Sequence, residues 1–360
     1  MQVLNLPDHL LSRSSFTAEF PLDRPAWPAL LTVPLAALYG PAADVYHRVF
    51  DAMHVFHAPA PVISVGNIVV GGTGKTPCTI ALAQMLADLE PALAEPNAVA
   101  ILSRGFGRAT SDMVVVDTDS DYHRTGDEPL LIKQAVPKLA VLVHVNRNKT
   151  AVFAVSKFGS KILLLDDGFQ NRRLARDLDL VLLDGAHPFG NGKVLPAGPL
   201  REGIRALERA SAIIGVGKDF LAAEQVAKRY GKPFAAAIPK LTLPTELSTE
   251  LSTPVYLLTS IARPSRFYNM LIAKGLNVLG GEAFGDHHRF TQKELARVAN
   301  AAQSAGAHYV LTTGKDRTRI RTWPYDIPVL VADLRLDFVH REKIEILLRP
   351  IIQKALGKVE

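Results

Sequence analysis

A short glycine-rich segment of the chain carries residues suited to binding a chain of phosphates. The segment reads Gly71-Gly72-Thr73-Gly74-Lys75-Thr76. Glycines let the backbone bend around a phosphate without a Cβ in the way, and successive N–H groups can then point at the anion. A lysine at position 75 can reach the β- and γ-phosphates of a nucleotide, and the Thr76 hydroxyl can bind Mg²⁺. The segment therefore predicts a phosphate-binding loop.

The sequence on either side predicts the strand and the helix that such a loop needs. An apolar, β-branched run covers residues 62–70, and helically spaced apolar residues cover 77–89, with Pro77 in the first turn. The usual pattern has a glycine five residues before Gly74, where this chain has Val69. The alternative is a glycine-rich turn with an incidental lysine. The strand, loop and helix order favours nucleotide binding.

Two adjacent carboxylates follow another apolar run. Asp166 and Asp167 come directly after residues 162–165, which read Ile-Leu-Leu-Leu. A carboxylate at the end of a strand beside a phosphate loop orders Mg²⁺, directly or through water. Either aspartate could instead cap a turn, but the upstream phosphate loop favours the metal role. We predict that Thr76, Asp166 and Asp167 bind Mg²⁺.

Charged residues also follow other predicted elements. Residues 103–108 read SRGFGR and end a predicted strand. Ligands bind at such strand ends in open α/β sheets, although an exposed turn is the alternative. Asp127 and Glu128 precede a predicted helix, where carboxylates are common capping residues. Residues 190–202 have no periodicity, and a long irregular loop in a compact domain is usually functional or disordered.

Composition limits the class of protein. The chain has 360 residues, 48% of them hydrophobic, a formal charge of +6 and one cysteine. It is long enough for two domains, and a single cysteine excludes an internal disulfide and favours a reducing compartment. The basic excess suits a nucleotide, a nucleic acid or an anionic membrane as partner. No apolar run reaches 18 residues, so a membrane-spanning helix is not expected.

The alternation of strands and helices predicts an α/β protein with two parts. We expect a P-loop NTPase-like α/β/α domain over residues 1–233, linker strands over 234–253, and a smaller α/β domain over 254–360. Within the first part, residues 25–56 are apolar and aromatic but broken by prolines. They suit short helices that either lie in a membrane interface or pack on the protein's own core.

Six motifs occur in an order and spacing that resemble the tetraacyldisaccharide 4'-kinases of lipid A biosynthesis. They are SVGNIVVGGTGKTP, ILSRGFGR, GDEP, LLLDDGFQ, LPAGPLRE and FGDHHRF. Each motif is weak alone, but six in sequence are highly specific, and the resemblance covers nearly the whole chain. In that family the missing early glycine of the loop is normal. The resemblance implies a kinase that uses ATP and Mg²⁺ to phosphorylate the 4'-hydroxyl of a tetraacylated glucosamine disaccharide 1-phosphate.

The resemblance also implies roles for individual residues. Asp127 matches the family's catalytic base, and His287, rather than the adjacent His288, matches its histidine partner. Because Asp127 and His287 fall in different predicted domains, we expect the domains to close during the reaction. The positions that match residues near the sugar phosphate or the nucleotide are Arg104, Arg147, Arg201 and Glu202.

The resemblance further implies a monotopic enzyme on the cytoplasmic face of the bacterial inner membrane. Its partners would be the acylated disaccharide phosphate lipid and the anionic membrane surface, which favours membrane contact for residues 25–56. We expect no nucleic-acid partner and no obligate protein partner. Two positions depart from the family: Phe106 stands where many relatives have tyrosine, and Gly314 in the TTGKD segment replaces an acidic residue.

Two other classes of protein fit parts of the sequence. A regulatory P-loop GTPase or a metal-delivery ATPase shares the phosphate loop, but TTGKD is not properly spaced for the usual guanine-reading motif, and there is a single cysteine. A non-enzymatic module that binds membranes or nucleic acid fits the basic charge. The chain carries no stacked-aromatic or basic-helix pattern for nucleic acid.

Overall fold

The structure, a computed structural model, describes residues 55–358. These residues form two compact units. The larger unit comprises residues 55–239 and 336–358, and the smaller unit comprises residues 240–335. The segment predicted to associate with the membrane, residues 25–56, lies outside the described residues except for its last two positions.

The larger unit is built on a mostly parallel sheet. Its strands in chain order are β1 (Val62–Asn67), β2 (Val99–Ser103), β3 (Val114–Val115), β4 (Ala140–Val143), β5 (Ile162–Asp166), β6 (Leu178–Asp184), β7 (Ala212–Val216) and β8 (Phe234–Thr242). They lie in the order β8-β7-β6-β1-β5-β2-β4-β3. Only the short β3 pairs antiparallel among these described strands. Because β1 lies between β5 and β6, its carboxyl end is in the middle of the sheet.

The strands of the smaller unit pair in parallel. Its strands are β9 (Val255–Thr259), β10 (Val278–Ala283), β11 (Tyr309–Thr313) and β12 (Val329–Phe338). They lie in the order β10-β9-β11-β12. Strand β8 ends, and β12 begins, within this unit.

Helices follow most of the strands. They are α1 (Lys75–Leu89), α2 (Pro91–Ala94), α3 (Tyr122–Thr125), α4 (Asp127–Ala135), α5 (Arg147–Phe158), α6 (Leu221–Arg229), α7 (Thr245–Thr249), α8 (Pro264–Ala273), α9 (Gln292–Ser304), α10 (Gly314–Arg317) and α11 (Arg341–Ala355), with a 3-10 helix at Ile204–Arg209. Thr291 and Glu294 predict a capping box at the start of α9, and the structure confirms it. No helix within residues 55–358 is long and apolar enough to cross a membrane.

Alternating residues of β1 face two different cores. Ile63 and Val65 pack in one core with Leu82 of α1. Val62 packs in another core with Ala151 of α5. Successive side chains of a strand point to opposite faces, so helices cover both faces of the sheet. The larger unit thus has the predicted α/β/α layers of a P-loop NTPase.

The C-terminal helix packs in the larger unit. Ile344 and Leu348 of α11 lie in the same core as Leu82, whereas the sequence expectation assigned residues 254–360 to the C-terminal domain. An amphipathic helix can cover any apolar sheet face, so its sequence pattern does not specify which sheet it covers. Residues 234–253, expected as linker strands, form β8 and the short α7.

Candidate functional site

The glycine-rich segment forms a loop between β1 and α1. Helix α1 begins at Lys75, and its N-cap Gly74 has a φ of 87°. Residues with a Cβ rarely adopt that angle, so this position requires glycine. The N–H of Cys78 donates to the carbonyl of Gly74 at 3.0 Å and closes the first turn. The loop therefore ends at a helix N-terminus, which attracts anions through its first N–H groups and its dipole.

A buried asparagine holds this loop from inside. The Nδ2 amide of Asn67 donates to the carbonyl of Val69 at 2.6 Å and to Oγ1 of Thr73 at 2.7 Å. Asn67 is fully buried at the carboxyl end of β1. Both bonds join the strand to the loop that follows it. The amide therefore sets the path of the backbone into the phosphate loop.

The paired aspartates lie beside the end of β1. Strand β5 runs parallel to β1, with Asp166 paired to Val65. The carboxylate of Asp166 is buried and accepts a hydrogen bond from Oγ1 of Thr79 at 3.1 Å. Burial raises the pKa of Asp166 to about 7, and the charges of Glu128 and Asp167 act in the same direction. A cation bound at Asp166 would relieve this unfavourable burial.

The second aspartate is paired with two cations of the protein. The carboxylate of Asp167 lies 3.6 Å from Nζ of Lys75. Nη1 of Arg201 donates to both of its oxygens, at 3.0 and 2.9 Å. Although burial raises the pKa of Asp167, Lys75 and Arg201 hold it below its usual value. Asp167 is therefore an ionised counter-ion for the phosphate-loop lysine.

The irregular segment 190–202 supplies Arg201 because it pairs with the chain just before the glycines. The N–H of Val70 donates to the carbonyl of Pro199, and the N–H of Arg201 donates to the carbonyl of Ile68, each at 2.8 Å. The segment is thus fixed against the phosphate loop by backbone hydrogen bonds. This explains how a stretch without periodicity delivers a side chain to the site.

Glu202 contacts a different set of residues. Its buried carboxylate pairs with Arg172 at 3.4 Å and with Arg209 at 2.9 Å, and it accepts a bond from Nε2 of Gln170 at 3.1 Å. The same Nε2 donates to the carbonyl of Asn67 at 2.8 Å. Glu202 therefore neutralises internal arginines behind the site, and Gln170 joins that cluster to the end of β1.

Two loops that carry predicted site residues contact each other at glycines. A Cβ on Gly105 would lie 2.8 Å from the carbonyl oxygen of Thr125, and a Cβ on Gly126 would lie 3.2 Å from Cα of Gly105. The contact at Gly105 is too close for a side chain, and the contact at Gly126 leaves little room for one. The approach brings the loop of Arg104, which is exposed, against the start of α4, whose first residue is Asp127.

Asp127 is buried at the N-terminus of α4. Its side chain is 5% exposed, and Oδ1 accepts a bond from the N–H of Glu128 at 3.0 Å. Both carboxylates lie in the first turn of α4, where the helix dipole favours negative charge. Because Glu128 raises the pKa of Asp166, the start of α4 and the end of β5 belong to one electrostatic environment.

Arg147 belongs to the same environment. It is the first residue of α5, is 7% exposed, and donates from Nη1 to the carbonyl of Val145 at 3.1 Å. Burial, together with the positive charge of Arg104, lowers the pKa of Arg147 to about 10, while Asp167 and Asp166 oppose the shift. The larger unit thus brings both arginines into electrostatic range of one another and Arg147 into range of the paired aspartates.

In the smaller unit the two adjacent histidines have different surroundings. Nε2 of His288 lies 3.1 Å from both carboxylate oxygens of Glu294, and its ring stacks on Phe284 at 4.7 Å. His287 has a left-handed φ of 60°, and its Nε2 lies 3.3 Å from Nζ of Lys315. His288 is therefore part of the packing at the start of α9, whereas His287 contacts a cation.

Sequence reasoning did not single out several side chains that hold these groups in place. They are Asn67, Thr79, Gln170 and Lys315. Asn67 and Gln170 lie within two of the six family motifs. An amide side chain does not by itself indicate a catalytic or binding role, so the motifs did not single these residues out. Lys315 lies in the TTGKD segment, for which the sequence indicated only that Gly314 departs from the family pattern.

Together, the phosphate loop, the helix that starts at Lys75 and the aspartates on the neighbouring parallel strand define a P-loop protein that binds nucleoside triphosphates. A family model described as "LpxK: Tetraacyldisaccharide-1-P 4'-kinase" matches residues 28–353. The chain belongs to this family of kinases, as its motifs indicated.

Individual relatives agree with this family. The chain is 39% identical over 332 residues to a tetraacyldisaccharide 4'-kinase of Anaeromyxobacter sp. (strain Fw109-5), with 86% of each chain covered. It is 40% identical over 302 residues to the enzyme of that name from Bradyrhizobium sp. (strain BTAi1 / ATCC BAA-1182), with 82% of each chain covered. A crystal structure of "apo" form LpxK from Aquifex aeolicus in complex with ATP superposes with a TM-score of 0.70 at 28% identity, covering 89% of this chain and 98% of that one.

Proposed function

We propose that this chain transfers the γ-phosphoryl group of ATP to the 4'-hydroxyl of a tetraacylated glucosamine disaccharide 1-phosphate. The product would be the 1,4'-bisphosphate precursor of lipid A. The observation that carries the proposal is the lysine of the phosphate loop at the N-terminus of α1, 3.6 Å from the carboxylate of Asp167. It supports phosphoryl transfer, and the family supports the choice of acceptor.

In this proposal the backbone of residues 71–74, Lys75 and Thr76 hold the triphosphate. The oxygens of Thr76, Asp166 and Asp167 fit Mg²⁺, which prefers hard oxygen ligands. The buried Asp166, with its raised pKa, supports a cation there. When bound, Mg²⁺ neutralises charge on the β- and γ-phosphates. Lys75 stabilises the charge on the transferred group, because a cation in a site shielded from water acts strongly.

We assign Asp127 as the base that accepts the proton of the sugar hydroxyl. A hydroxyl is a poor nucleophile, and a positioned base typically accelerates such a step by about 10²–10⁴-fold. The burial of Asp127 at the start of α4 supports a fixed position for its carboxylate. We assign His287 of the smaller unit as the partner that orients this base and tunes its pKa.

We assign Arg104, Arg147, Arg201 and Glu202 to substrate binding, in three different roles. Arg104 is exposed, and a guanidinium fork suits the phosphate already on the disaccharide. Arg147 and Arg201 contribute positive charge next to the paired aspartates. Glu202 is buried against two arginines, so it acts by holding the loop that carries Arg201.

We further propose that the protein acts as a monotopic enzyme on the cytoplasmic face of the bacterial inner membrane. Residues 25–56 would contact the anionic membrane surface, since their apolar and aromatic runs suit a helix in the interface. The acylated disaccharide phosphate is then both a substrate and a membrane component. Nucleic acid and an obligate protein partner have no part in this proposal.

The test is phosphate transfer from labelled ATP to the acylated disaccharide 1-phosphate in mixed micelles, with ATP affinity measured in parallel. We expect turnover by the wild type and a loss of roughly 10²-fold or more in Asp127→Asn, with ATP affinity unchanged. Lys75→Met is expected to lose both turnover and affinity. A protein that binds ATP but leaves the lipid unmodified would refute the proposed substrate.

A guanine-specific function has less support. Asp316 of the TTGKD segment, the residue that would read the base, is fully buried. Its carboxylate accepts bonds from the hydroxyls of Ser260 at 2.7 Å, Thr313 at 2.7 Å and Thr259 at 3.1 Å. Within residues 55–358 there is also no group of three or more His, Cys, Asp or Glu side chains that could hold a metal cargo.

A further inference from the structure

Three polar side chains of the smaller unit form a compact cluster with a lysine between the other two. Nζ of Lys315 lies 3.2 Å from Oδ1 of Asp286 and 3.3 Å from Nε2 of His287. Oδ1 of Asp286 also accepts the backbone N–H of His287 at 3.1 Å. These side chains are 18%, 34% and 30% exposed, respectively. The cluster is therefore partly shielded from water, which strengthens its electrostatic interactions.

The position of the lysine bears on which ring nitrogen of the histidine carries the proton. A lysine ammonium only donates hydrogen bonds, and a neutral imidazole has one donor nitrogen and one acceptor nitrogen. A proton on Nε2 of His287 would face the Lys315 donor at 3.3 Å. The carboxylate oxygen Oδ2 of Asp286, which could accept such a proton, is farther away at 3.7 Å. The geometry thus favours Nε2 as acceptor and Nδ1 as the protonated nitrogen.

The fold holds Lys315 in this place through its neighbours in the TTGKD segment. Oγ1 of Thr313 accepts the N–H of Asp316 at 3.1 Å and caps the short helix α10. The buried Asp316 is fixed by the N–H of Ser260 at 3.0 Å and by Arg319 at 3.3 Å. Asp316 is anchored inside the unit, and the side chain of the preceding residue, Lys315, extends to His287. The departure at Gly314 leaves this arrangement intact.

We propose that Lys315 is a positioning residue that holds His287 as the neutral, Nδ1-protonated tautomer. The inference rests on the proposed function, because it gives His287 a hydrogen-bond donor suited to an anionic oxygen such as that of a carboxylate base. Asp286 serves by holding the Lys315 ammonium in place. The TTGKD segment thereby acquires a role that does not involve reading a base.

The tautomer can be measured without any substrate. We would record two-bond ¹H–¹⁵N spectra of the full-length protein with labelled histidine at pH 7.5, and assign the ring by its loss in His287→Asn. The expected spectrum has a protonated Nδ1 and an unprotonated Nε2. A ring that is protonated at Nε2, or at both nitrogens, would overturn the proposal.

Three variants test whether Lys315 sets the tautomer of His287. Lys315→Met keeps the length of the side chain but removes the donor, so the proton should move toward Nε2. Lys315→Arg keeps a donor and should retain the Nδ1-protonated ring. Lys274→Met removes an exposed lysine of the same unit and should change neither the ring nor the rate. If His287 keeps the Nδ1-protonated tautomer in Lys315→Met, the proposal is contradicted.

The kcat values of the Lys315 variants test whether the tautomer of His287 matters for catalysis. We expect kcat to fall roughly tenfold or more in Lys315→Met, a part of the typical gain from acid–base catalysis, and to recover partly in Lys315→Arg. If the proton of His287 moves to the other ring nitrogen but kcat stays the same, the positioning by Lys315 has no role in the reaction. If the wild type fails to phosphorylate the lipid, the proposed function fails, whereas the spectra still decide whether Lys315 sets the tautomer.

Discussion

Nη1 of Arg201 donates to both carboxylate oxygens of Asp167, at 3.0 and 2.9 Å, and so ties the irregular loop 190–202 to the end of β5. The same carboxylate lies 3.6 Å from Nζ of Lys75. Three segments that are distant in sequence therefore share one partly buried set of charges. A phosphate group that binds Lys75 competes with Asp167 for that lysine, and Arg201 determines how strongly Asp167 competes.

Removal of the Arg201 guanidinium should weaken ATP binding. In Arg201→Met, Lys75 remains to balance Asp167, so the lysine is held more tightly and is less available to phosphate. A hydrogen bond to a charged group contributes about 1.5–3 kcal/mol, so we expect the KM for ATP to rise roughly tenfold. Steady-state kinetics would measure this rise. The control Arg205→Met, at an exposed position in the 3-10 helix that follows the segment, should leave KM unchanged.

A methyl group at Gly105 should disrupt the contact between the Arg104 loop and the start of α4. Its Cβ would lie 2.3 Å from Cγ1 of Val143 and 2.8 Å from the carbonyl oxygen of Thr125. We expect Gly105→Ala to lower the free energy of unfolding by about 2–4 kcal/mol, through overpacking and a positive φ together. Urea denaturation would measure the loss.

Gly107→Ala is a matched control for that substitution. Gly107 has a φ of 75°, similar to the 67° of Gly105, but a Cβ there would meet no atom within 4 Å. We expect only the backbone cost of about 1–2 kcal/mol. Equal losses in the two variants would show that close packing at Gly105 does not matter.

The amide of Asn67 should be required for the shape of the phosphate loop. Asn67→Asp keeps the size of the side chain but replaces two donors with a buried carboxylate that faces the carbonyl of Val69. Leaving a buried polar group unsatisfied costs about 1–3 kcal/mol, and we expect ATP affinity to fall roughly tenfold. Calorimetric titration with ATP would test this. Thr73→Ser keeps the hydroxyl that accepts from Asn67 and should bind nearly as the wild type does.

The capping box of α9 should make stability depend on pH in the acidic range. Although burial opposes the shift, hydrogen bonds from the Thr291 N–H and from His288 lower the pKa of Glu294 below its usual value of 4.5. Because the pKa of Glu294 is lower in the folded state, its charge stabilises the fold above the unfolded pKa. That contribution is lost as the pH falls through the folded value.

We therefore expect Glu294→Gln to lower the free energy of unfolding at pH 7 by about 0.5–1 kcal/mol. The difference from the wild type should shrink as the pH falls below 4.5, toward the lowered pKa. Urea denaturation at pH 7 and pH 3.5 would measure both values. Glu246→Gln, at an exposed position in α7, should change stability by less than about 0.5 kcal/mol at either pH. A wild-type advantage that persists undiminished at pH 3.5 would argue against this role for the charge of Glu294.

Local patterns were enough to predict the phosphate loop. Gly74 and Lys75 lie between a β-branched run and a helical run, and strand, loop and helix are all determined by neighbouring residues. Asp166 was predicted for the same reason, since a run of apolar residues that ends in a carboxylate places that group at a strand end. The two strands are both fully buried, which made their apolar runs easy to recognise.

The order of strands and helices, the α/β class, the phosphate loop and the family could be predicted from the residues alone, because these depend on short-range periodicity and on motifs in sequence. The tertiary fold, in contrast, decided which charged side chains contact each other. Arg201 reaches Asp167 across 34 residues, and Lys315 reaches His287 across 28. It also decided that α11 packs in the larger unit. Such contacts follow from strand order and from the packing of helices on sheets, which the residues of any one segment do not specify.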